Sequence, residues 1–278
     1  MQGFGPVSDI EPSNARIAES LLAFWSDGGV DAMLLDAPLD RIAAGRIAPP
    51  LRVMAAAPSG RTSARSEGPD VSGARAKAQA LAAQAKDLEA LCAAIADFDG
   101  CPLRYAGAAS QAVVWRGDPA APLMVIGEGP GADEDAQGQP FVGRAGKLLD
   151  KMLGAAGLAD HVLITNTVFW RPPGNRTPTP AEQAVCAPFL ERMITLVRPR
   201  LLLLVGGASA KSLLQQDQGI LAMRGRWSVW RSSDGELELP ALPTLHPAFL
   251  LRQPAAKKHA WSDLLTLTEK LARPDAPL

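Results

Sequence analysis

Short apolar runs that alternate with helical segments constrain the fold of this chain more than any other feature. Each run is bounded by turn residues and predicts a buried strand, at residues 123–126, 162–168, 201–205, 227–230 and 241–245. Helical spacing of apolar residues predicts helices between and after these strands, at residues 145–156, 180–197, 208–214 and 256–271. Strands that alternate with helices are typical of an α/β fold built on a mostly parallel sheet.

The first 75 residues differ in composition from the rest of the chain. Residues 1–45 carry apolar side chains at helical spacing and predict an N-terminal helical extension. Residues 46–75 are rich in Ala, Pro, Ser, Gly and Arg without periodicity. Such a composition buries too little surface to offset the entropy of ordering, so we interpret this stretch as a flexible linker. The α/β domain then occupies residues 76–278 and opens with a helix that runs to about Asp97.

Charge and cysteine content limit the setting in which the protein works. The net charge is −1, so any contact with nucleic acid has to come from a local basic patch. The three cysteines are too few and too scattered for a disulfide framework, and they indicate a reducing compartment. The longest apolar run, residues 201–205, is far too short to span a membrane, and no signal peptide is apparent. We therefore expect a soluble, cytoplasmic protein.

The segment GEGPGADEDAQGQPFVGRAG, residues 127–146, follows the first predicted strand. Ligands of open α/β sheets bind beyond the carboxyl ends of strands, so this loop predicts a ligand site. It differs from the glycine loops that bind dinucleotides, because the glycine spacing is wrong and Pro130 removes an amide donor. Its acidic residues would also repel a pyrophosphate. Phe141, which lies between glycines, is suited to stacking on a planar ligand.

Two later segments also end on polar side chains. Asn166 closes a predicted strand and offers one acceptor and two donors in a plane, which suits the edge of a base such as uracil. His246 follows the last predicted strand and precedes Pro247 and an apolar tip with basic residues beyond it. Such a tip suits insertion into a base stack beside phosphates. In isolation, each of these residues has an ordinary structural interpretation. Asn166 could fix a turn, His246 could be a structural histidine, and the leucines of the tip, Leu250 and Leu251, could belong to the core.

Taken together and in this order, the segments GEGPGADEDAQGQPFVGRAG, TNTVFWRPPGNRTPTPAE and HPAFLLR resemble the uracil-DNA glycosylases, in particular family four. The resemblance covers roughly residues 86–270. It implies a three-layer α/β/α fold around a mostly parallel four-stranded sheet. It also implies a DNA repair enzyme that hydrolyses the N-glycosidic bond of uracil in DNA and leaves an abasic site.

The resemblance also assigns roles to residues of the three segments. It implies that Phe141 stacks on the extruded base and that Asn166 reads the Watson–Crick edge of the base. His246 stands where the family places a donor to uracil O2. Backbone amides around Gly127 and Gly129 approach the base closely.

The acid that stabilises the sugar and orients the water is either Glu128 or Glu134, and the resemblance leaves both open. The predicted DNA contacts lie in the second and third segments. They are Arg171, Arg176, Leu250, Leu251 and Arg252.

The chain departs from the family at its iron–sulfur cluster. Cys101 and Cys186 match two of the four cysteine ligands, whereas Phe98 and Trp170 stand at the other two positions. Cluster iron needs thiolates, so we expect no cofactor and no metal, with both aromatic side chains filling the volume of the cluster. A residual site that adds Cys92 and an outside ligand is the alternative.

Two other functions stay open at this point. One is a DNA-binding or adaptor protein with weak or no catalysis, and the other is a glycosylase for a different deaminated base such as hypoxanthine. In the leading interpretation the partner is uracil-containing DNA, the protein is a monomer, and no membrane is involved.

Overall fold

The structure is a computed structural model, and it describes residues 71–273. The predicted extension at 1–45 and the linker up to residue 70 lie outside the described residues.

The predicted helix from residue 76 to about Asp97 is two helices, α1 (Val71–Gln84) and α2 (Leu88–Asp97). The break occurs because the side chain of Asp87 accepts a hydrogen bond from the Ala90 amide and starts a new helix. Residues 71–75 are helical, so the predicted boundary of the linker at residue 75 is wrong.

One six-stranded sheet forms the centre of the domain. Its strands are β1 (Trp115–Gly117), β2 (Leu123–Gly127), β3 (Val162–Asn166), β4 (Leu201–Val205), β5 (Ser228–Arg231) and β6 (Glu238–Thr244). They are ordered β1-β3-β2-β4-β6-β5. The pairs β3–β2, β2–β4 and β4–β6 are parallel, whereas β1 and β5 are antiparallel edge strands. The expected four parallel strands are thus present, and the sheet extends beyond them on both sides.

The remaining helices connect these strands or follow them. They are α3 (Ala132–Gln137), α4 (Arg144–Ala155), α5 (Pro180–Val197), α6 (Gly207–Leu214), α7 (Ile220–Met223), α8 (Pro247–Arg252) and α9 (Lys257–Ala272). The start of α5 is fixed by a capping box in which Thr179 and Glu182 each bond the other's backbone amide. No helix within residues 71–273 is long and apolar enough to cross a membrane.

Two apolar clusters, one on each face of the sheet, give the three-layer arrangement. Met124 and Ile126 of β2 face a cluster that includes buried residues of α1, α2 and α5. The alternate residues Leu123 and Val125 face a second cluster with buried residues of α4 and α9. Because side chains of a strand alternate between faces, every central strand is buried on both sides and appears in the sequence as a continuous apolar run. The expected α/β/α fold is confirmed.

The parallel order brings the three sequence segments to one edge of the sheet. Gly127 at the end of β2 pairs with Asn166 at the end of β3. The segment from His246 follows β6, whose end pairs with the end of β4. Part of the segment predicted as a loop is helical, namely α3, and the apolar tip after His246 is helix α8. The carboxyl ends of β2, β3, β4 and β6 form the edge at which a ligand site is expected.

Candidate active site

A cavity of about 450 Å³ opens at the carboxyl edge of the sheet. Residues from all three segments form its wall, although they lie far apart in the sequence. The predicted site residues among them are Glu128, Gly129, Glu134, Phe141, Arg176, His246 and Arg252. The wall also contains Asn175 and Phe249, which the sequence analysis did not single out. Both stand inside the second and third segments, but nothing in the sequence distinguished them from their neighbours, so only their placement in the fold identifies them.

Phe141, Gly127 and Asn166 meet at one end of this cavity. A Cβ atom on Gly127 would collide with the tip of the Phe141 ring and would stand 2.6 Å from Asn166 Oδ1. Only glycine fits there, which explains this residue of the motif. Asn166 is 1% exposed and lies beside the cavity rather than in its wall. The predicted cluster of base-binding residues is therefore assembled, with the amide at its buried end.

The Asn166 side chain has an unsatisfied acceptor. Its Oδ1 is buried, and no described residue donates a hydrogen bond to it. A buried polar atom left unpaired costs about 1–3 kcal/mol. Buried polar atoms in native proteins are nearly always paired, so an exception requires an explanation. An N–H group of a bound ligand would supply the missing donor.

His246 lies beside Phe141, with ring centroids 5.8 Å apart and an angle of 32° between the ring planes. It is the N-cap of α8, and its Nδ1 accepts a hydrogen bond from the Ala248 amide at 3.1 Å. A neutral imidazole whose Nδ1 accepts must carry its proton on Nε2. Burial, followed by the nearby charge of Arg252, lowers the pKa of His246 to about 4, although Glu134 opposes the shift. His246 is therefore a neutral donor through Nε2 at physiological pH.

The lowered pKa of His246 predicts a loss of stability in mild acid. Between pH 6.5 and about 4, the unfolded chain binds a proton on this histidine that the folded protein does not bind. Acidification through this window therefore favours unfolding. We expect His246 to account for about 2 kcal/mol of the decrease in unfolding free energy between pH 7 and pH 5. Urea titrations at both pH values measure it.

Variants isolate this contribution from that of the other acids and bases. His246→Asn keeps an oxygen that can accept from the Ala248 amide but does not titrate. Its decrease in unfolding free energy between pH 7 and pH 5 should therefore be smaller than that of the wild type by the contribution of His246. His161→Asn changes an exposed histidine and should keep the full loss. Equal losses in His246→Asn and the wild type would contradict the prediction.

The two candidate acids differ in their surroundings. The Glu134 carboxylate accepts hydrogen bonds from the amides of Gly131 at 3.1 Å, Val142 at 3.0 Å and Gly143 at 2.9 Å. It therefore ties the loop together. Glu128 lines the cavity, and its carboxylate has no hydrogen-bond or ion-pair partner among the described residues. Its backbone carbonyl accepts from the Thr167 hydroxyl at 2.6 Å, which fixes the main chain and leaves the side chain available.

The predicted DNA contacts divide into two groups. Arg252 lies in the cavity wall and Leu251 is 37% exposed, so both are accessible to DNA. Leu250 is fully buried in an apolar cluster with Leu245 and Ala260, so its prediction as a DNA contact is wrong. The error arises because the segment is a helix, in which neighbouring residues point in different directions.

The two arginines of the second segment form hydrogen bonds within the protein. Arg171 donates to Asn175 Oδ1 at 2.7 Å, and Arg176 forms a bidentate pair with Glu182. Both stand at or near the cavity, and the Glu182 carboxylate neutralises much of the Arg176 charge.

The four positions that the resemblance predicts to correspond to cluster ligands belong to one apolar cluster of buried residues, namely Phe98, Cys101, Trp170 and Cys186. Cys101 Sγ and Cys186 Sγ are 3.8 Å apart, and hydrogen bonding with Cys101 and burial raise the pKa of the Cys186 thiol. The ring of Phe98 lies 6.4 Å from that of Trp170 and 5.1 Å from that of Phe189. These residues are at most 2% exposed, so rings fill the space and only two thiols remain. They do not fit a cluster that needs four thiolates.

Cys92 does not complete a site in this arrangement. Its sulfur accepts a hydrogen bond from the Trp115 indole at 3.1 Å. Within the described part of the chain, no group of three or more His, Cys, Asp or Glu side chains is placed to hold a metal ion.

Comparison with known proteins agrees with the geometry of the site. The family model of the uracil DNA glycosylase superfamily matches residues 114–265. A Type-4 uracil-DNA glycosylase of Pyrobaculum aerophilum is 38% identical over 184 residues, which cover 64% of this chain and 91% of that protein. The Type-4 enzyme of Sulfurisphaera tokodaii is 38% identical over 171 residues, or 59% of this chain and 77% of that protein. The chain therefore belongs to the uracil-DNA glycosylase superfamily.

Proposed function

We propose that this protein removes uracil from DNA by hydrolysing its N-glycosidic bond. The observation that carries the proposal is the buried Asn166 amide, which lies beside the Phe141 ring. Its Oδ1 accepts no hydrogen bond from any residue that the structure describes. Uracil presents an N–H next to a carbonyl, so N3–H donates to Oδ1 and O4 accepts from the amide nitrogen. Two similar proteins are named Type-4 uracil-DNA glycosylases, which supports the same substrate.

The same amide discriminates against cytosine. Cytosine has an acceptor at N3 and an amino donor at C4, so both partners of the Asn166 amide would be mismatched. The mismatch leaves buried polar groups unpaired, and sites of this kind reject the wrong partner strongly. A base reaches this depth only after it has left the helix stack, because its edge is paired inside a duplex.

His246 and Glu128 supply charge stabilisation to the reaction. As the C1′–N1 bond breaks, its electron pair moves to the base and negative charge develops on O2. The Nε2–H of neutral His246 donates to O2 and stabilises this charge without a change in its own protonation. The Glu128 carboxylate faces the cavity, where it stabilises the sugar cation and orients the water that attacks C1′. The water oxygen forms the new bond to C1′, and its proton leaves through Glu128.

Alkaline cleavage of a uracil-containing oligonucleotide tests the function. The protein is expected to produce alkali-labile abasic sites in uracil-containing strands and none in matched cytosine strands. Glu128→Gln removes the charge but keeps the shape, and it should slow excision at least tenfold. Uracil strands that stay as intact as in buffer would refute the proposal, and full activity in the variant would remove Glu128 from the mechanism.

We further propose that the protein works without an iron–sulfur cluster. The support is the pair of rings at two ligand positions and the tight packing of Phe98 on Phe189. Protein purified anaerobically should be colourless and should contain no stoichiometric iron or sulfide. The Phe98→Cys/Trp170→Cys double variant restores four thiols and is the matched control, which should take up iron after reconstitution. Brown wild-type protein with visible thiolate-to-iron absorbance would overturn the proposal.

We also infer that the enzyme acts on DNA as a monomer in the cytoplasm. In its support, residues from all three segments of one chain line the cavity, and Cys92, Cys101 and Cys186 are free thiols. Light scattering with and without an oligonucleotide measures the oligomeric state, and a stable dimer would contradict the inference.

A further inference from the structure

The backbone of Phe141 has an unusual conformation. Its φ angle is 56°, in the left-handed region that bulky side chains rarely adopt. Such a conformation is strained and persists only when the surroundings hold it in place. Gly146 contributes, because a Cβ at that position would collide with the Phe141 carbonyl group. The orientation of the ring in the cavity thus depends on contacts that hold this one residue.

Arg116 of the edge strand β1 makes the first of these contacts. Its Nε donates to the Pro140 carbonyl at 2.7 Å, and its Nη2 donates to the Phe141 carbonyl at 3.1 Å. The same guanidinium is paired with Asp150 of α4 at 2.6 Å. A guanidinium is a rigid planar fork, so two consecutive carbonyls bound to it fix the peptide plane between them.

Glu134 makes the complementary contact on the other side of Phe141. Its Oε1 accepts from the amides of Val142 and Gly143, which directly follow the aromatic residue. Phe141 is therefore held between a cation that binds the preceding carbonyls and an anion that binds the following amides. The Arg116 side chain is 22% exposed and is not part of the cavity wall, so it acts on the site only through this segment.

We propose that Arg116 is a positioning residue that sets the orientation of the Phe141 ring as the stacking surface for the extruded base. The inference rests on the proposed function, because the purpose of the ring is to stack on uracil. Without Arg116 the segment relaxes toward an ordinary backbone conformation, and the ring leaves the plane that the base requires. A displacement of about 1 Å in a positioning group can lower a rate up to a hundredfold.

A double-mutant cycle with Phe141 tests this role. Arg116→Met should lower kcat/KM for uracil excision about tenfold in the wild-type background. In the Phe141→Ala background the same change should lower it less than twofold, because no ring is left to orient. Arg116→Lys should recover part of the loss, since an ammonium group binds a carbonyl but lacks the planar fork. Equal losses in both backgrounds, or no loss in either, would overturn the proposal.

Arg231→Met is the matched control. Arg231 also lies on an antiparallel edge strand and is paired with a carboxylate, that of Glu238 at 2.5 Å. Its strand, β5, is at the edge of the sheet opposite to β1. The control variant should excise uracil at the wild-type rate. A loss as large as that of Arg116→Met would mean that removing any paired edge arginine disturbs the fold.

Amide hydrogen exchange gives a readout that does not depend on activity. In Arg116→Met, exchange at Val142 and Gly143 should increase at least tenfold relative to amides of the central strands. Unchanged exchange would show that Arg116 does not hold the segment and would overturn the proposal. A wild-type protein without uracil excision would instead refute the proposed function and with it the catalytic purpose of Arg116, whatever the exchange result.

Discussion

Asn166→Ala is expected to lower the single-turnover rate of uracil excision about 1000-fold. The variant removes both groups that pair with the uracil edge, at a depth of the site where water does not replace them. The fold should tolerate the change, because no described residue donates to Oδ1 and no internal hydrogen bond of that atom is lost. A large loss of rate with near-normal unfolding in urea would separate a substrate-binding role from a structural one.

Gln137→Ala provides a matched control for this variant. Gln137 carries an amide that is exposed at the end of α3 and is not part of the cavity wall. Its removal should leave the rate unchanged. The substrate assignment would be contradicted if Asn166→Ala retained more than a tenth of the wild-type rate, or if its rate fell only in step with its unfolding free energy.

The centre of the sheet was predictable from the sequence because burial on both faces leaves a continuous apolar run. Leu201–Val205 and Pro180–Val197 are found with the predicted bounds, the second because proline and a capping box mark its start. The edge strand Trp115–Gly117 was not predicted, because two half-buried residues and an exposed glycine carry no periodic signal.

Helix α3 shows why some elements were missed. Its sequence ADEDAQ has no apolar periodicity and was interpreted as a loop. The helix is stabilised from outside, since the Asp135 carboxylate accepts from the Ser110 amide at 2.9 Å and from its hydroxyl at 2.7 Å. Contacts across 25 residues of sequence leave no local signature.

The sequence predicted which residues lie together at the cavity, but it did not predict the separate contacts that each of them makes. The order of the three segments was sufficient to place Phe141, Asn166 and His246 in one cluster. The sequence left Glu128 and Glu134 equivalent, because only the folded loop shows that three amides bind one of them. Arg116 was not detected for the same reason, since its partners are carbonyl groups that every residue carries.

Trp170→Ala is expected to lower the free energy of unfolding by about 4 kcal/mol. Trp170 is 2% exposed and lies against Phe98 and Phe169 in the largest apolar cluster. Under the proposal that no cluster is bound, we expect ring packing to hold together the segments that meet at this position. Urea titration monitored by far-UV circular dichroism measures the loss.

Trp261→Ala is the matched control, because this tryptophan lies on α9 and is 40% exposed. It should change the unfolding free energy by less than about 1 kcal/mol. If Trp170→Ala is no more damaging than this control, the rings do not replace the cluster, and the two thiols or a bound metal must join the segments instead. The Phe98→Ala/Trp170→Ala double variant tests whether the two rings stabilise the fold as one unit. Two rings that pack as one unit should give a combined loss that departs from the sum of the single losses, whereas rings that act independently should give additive losses.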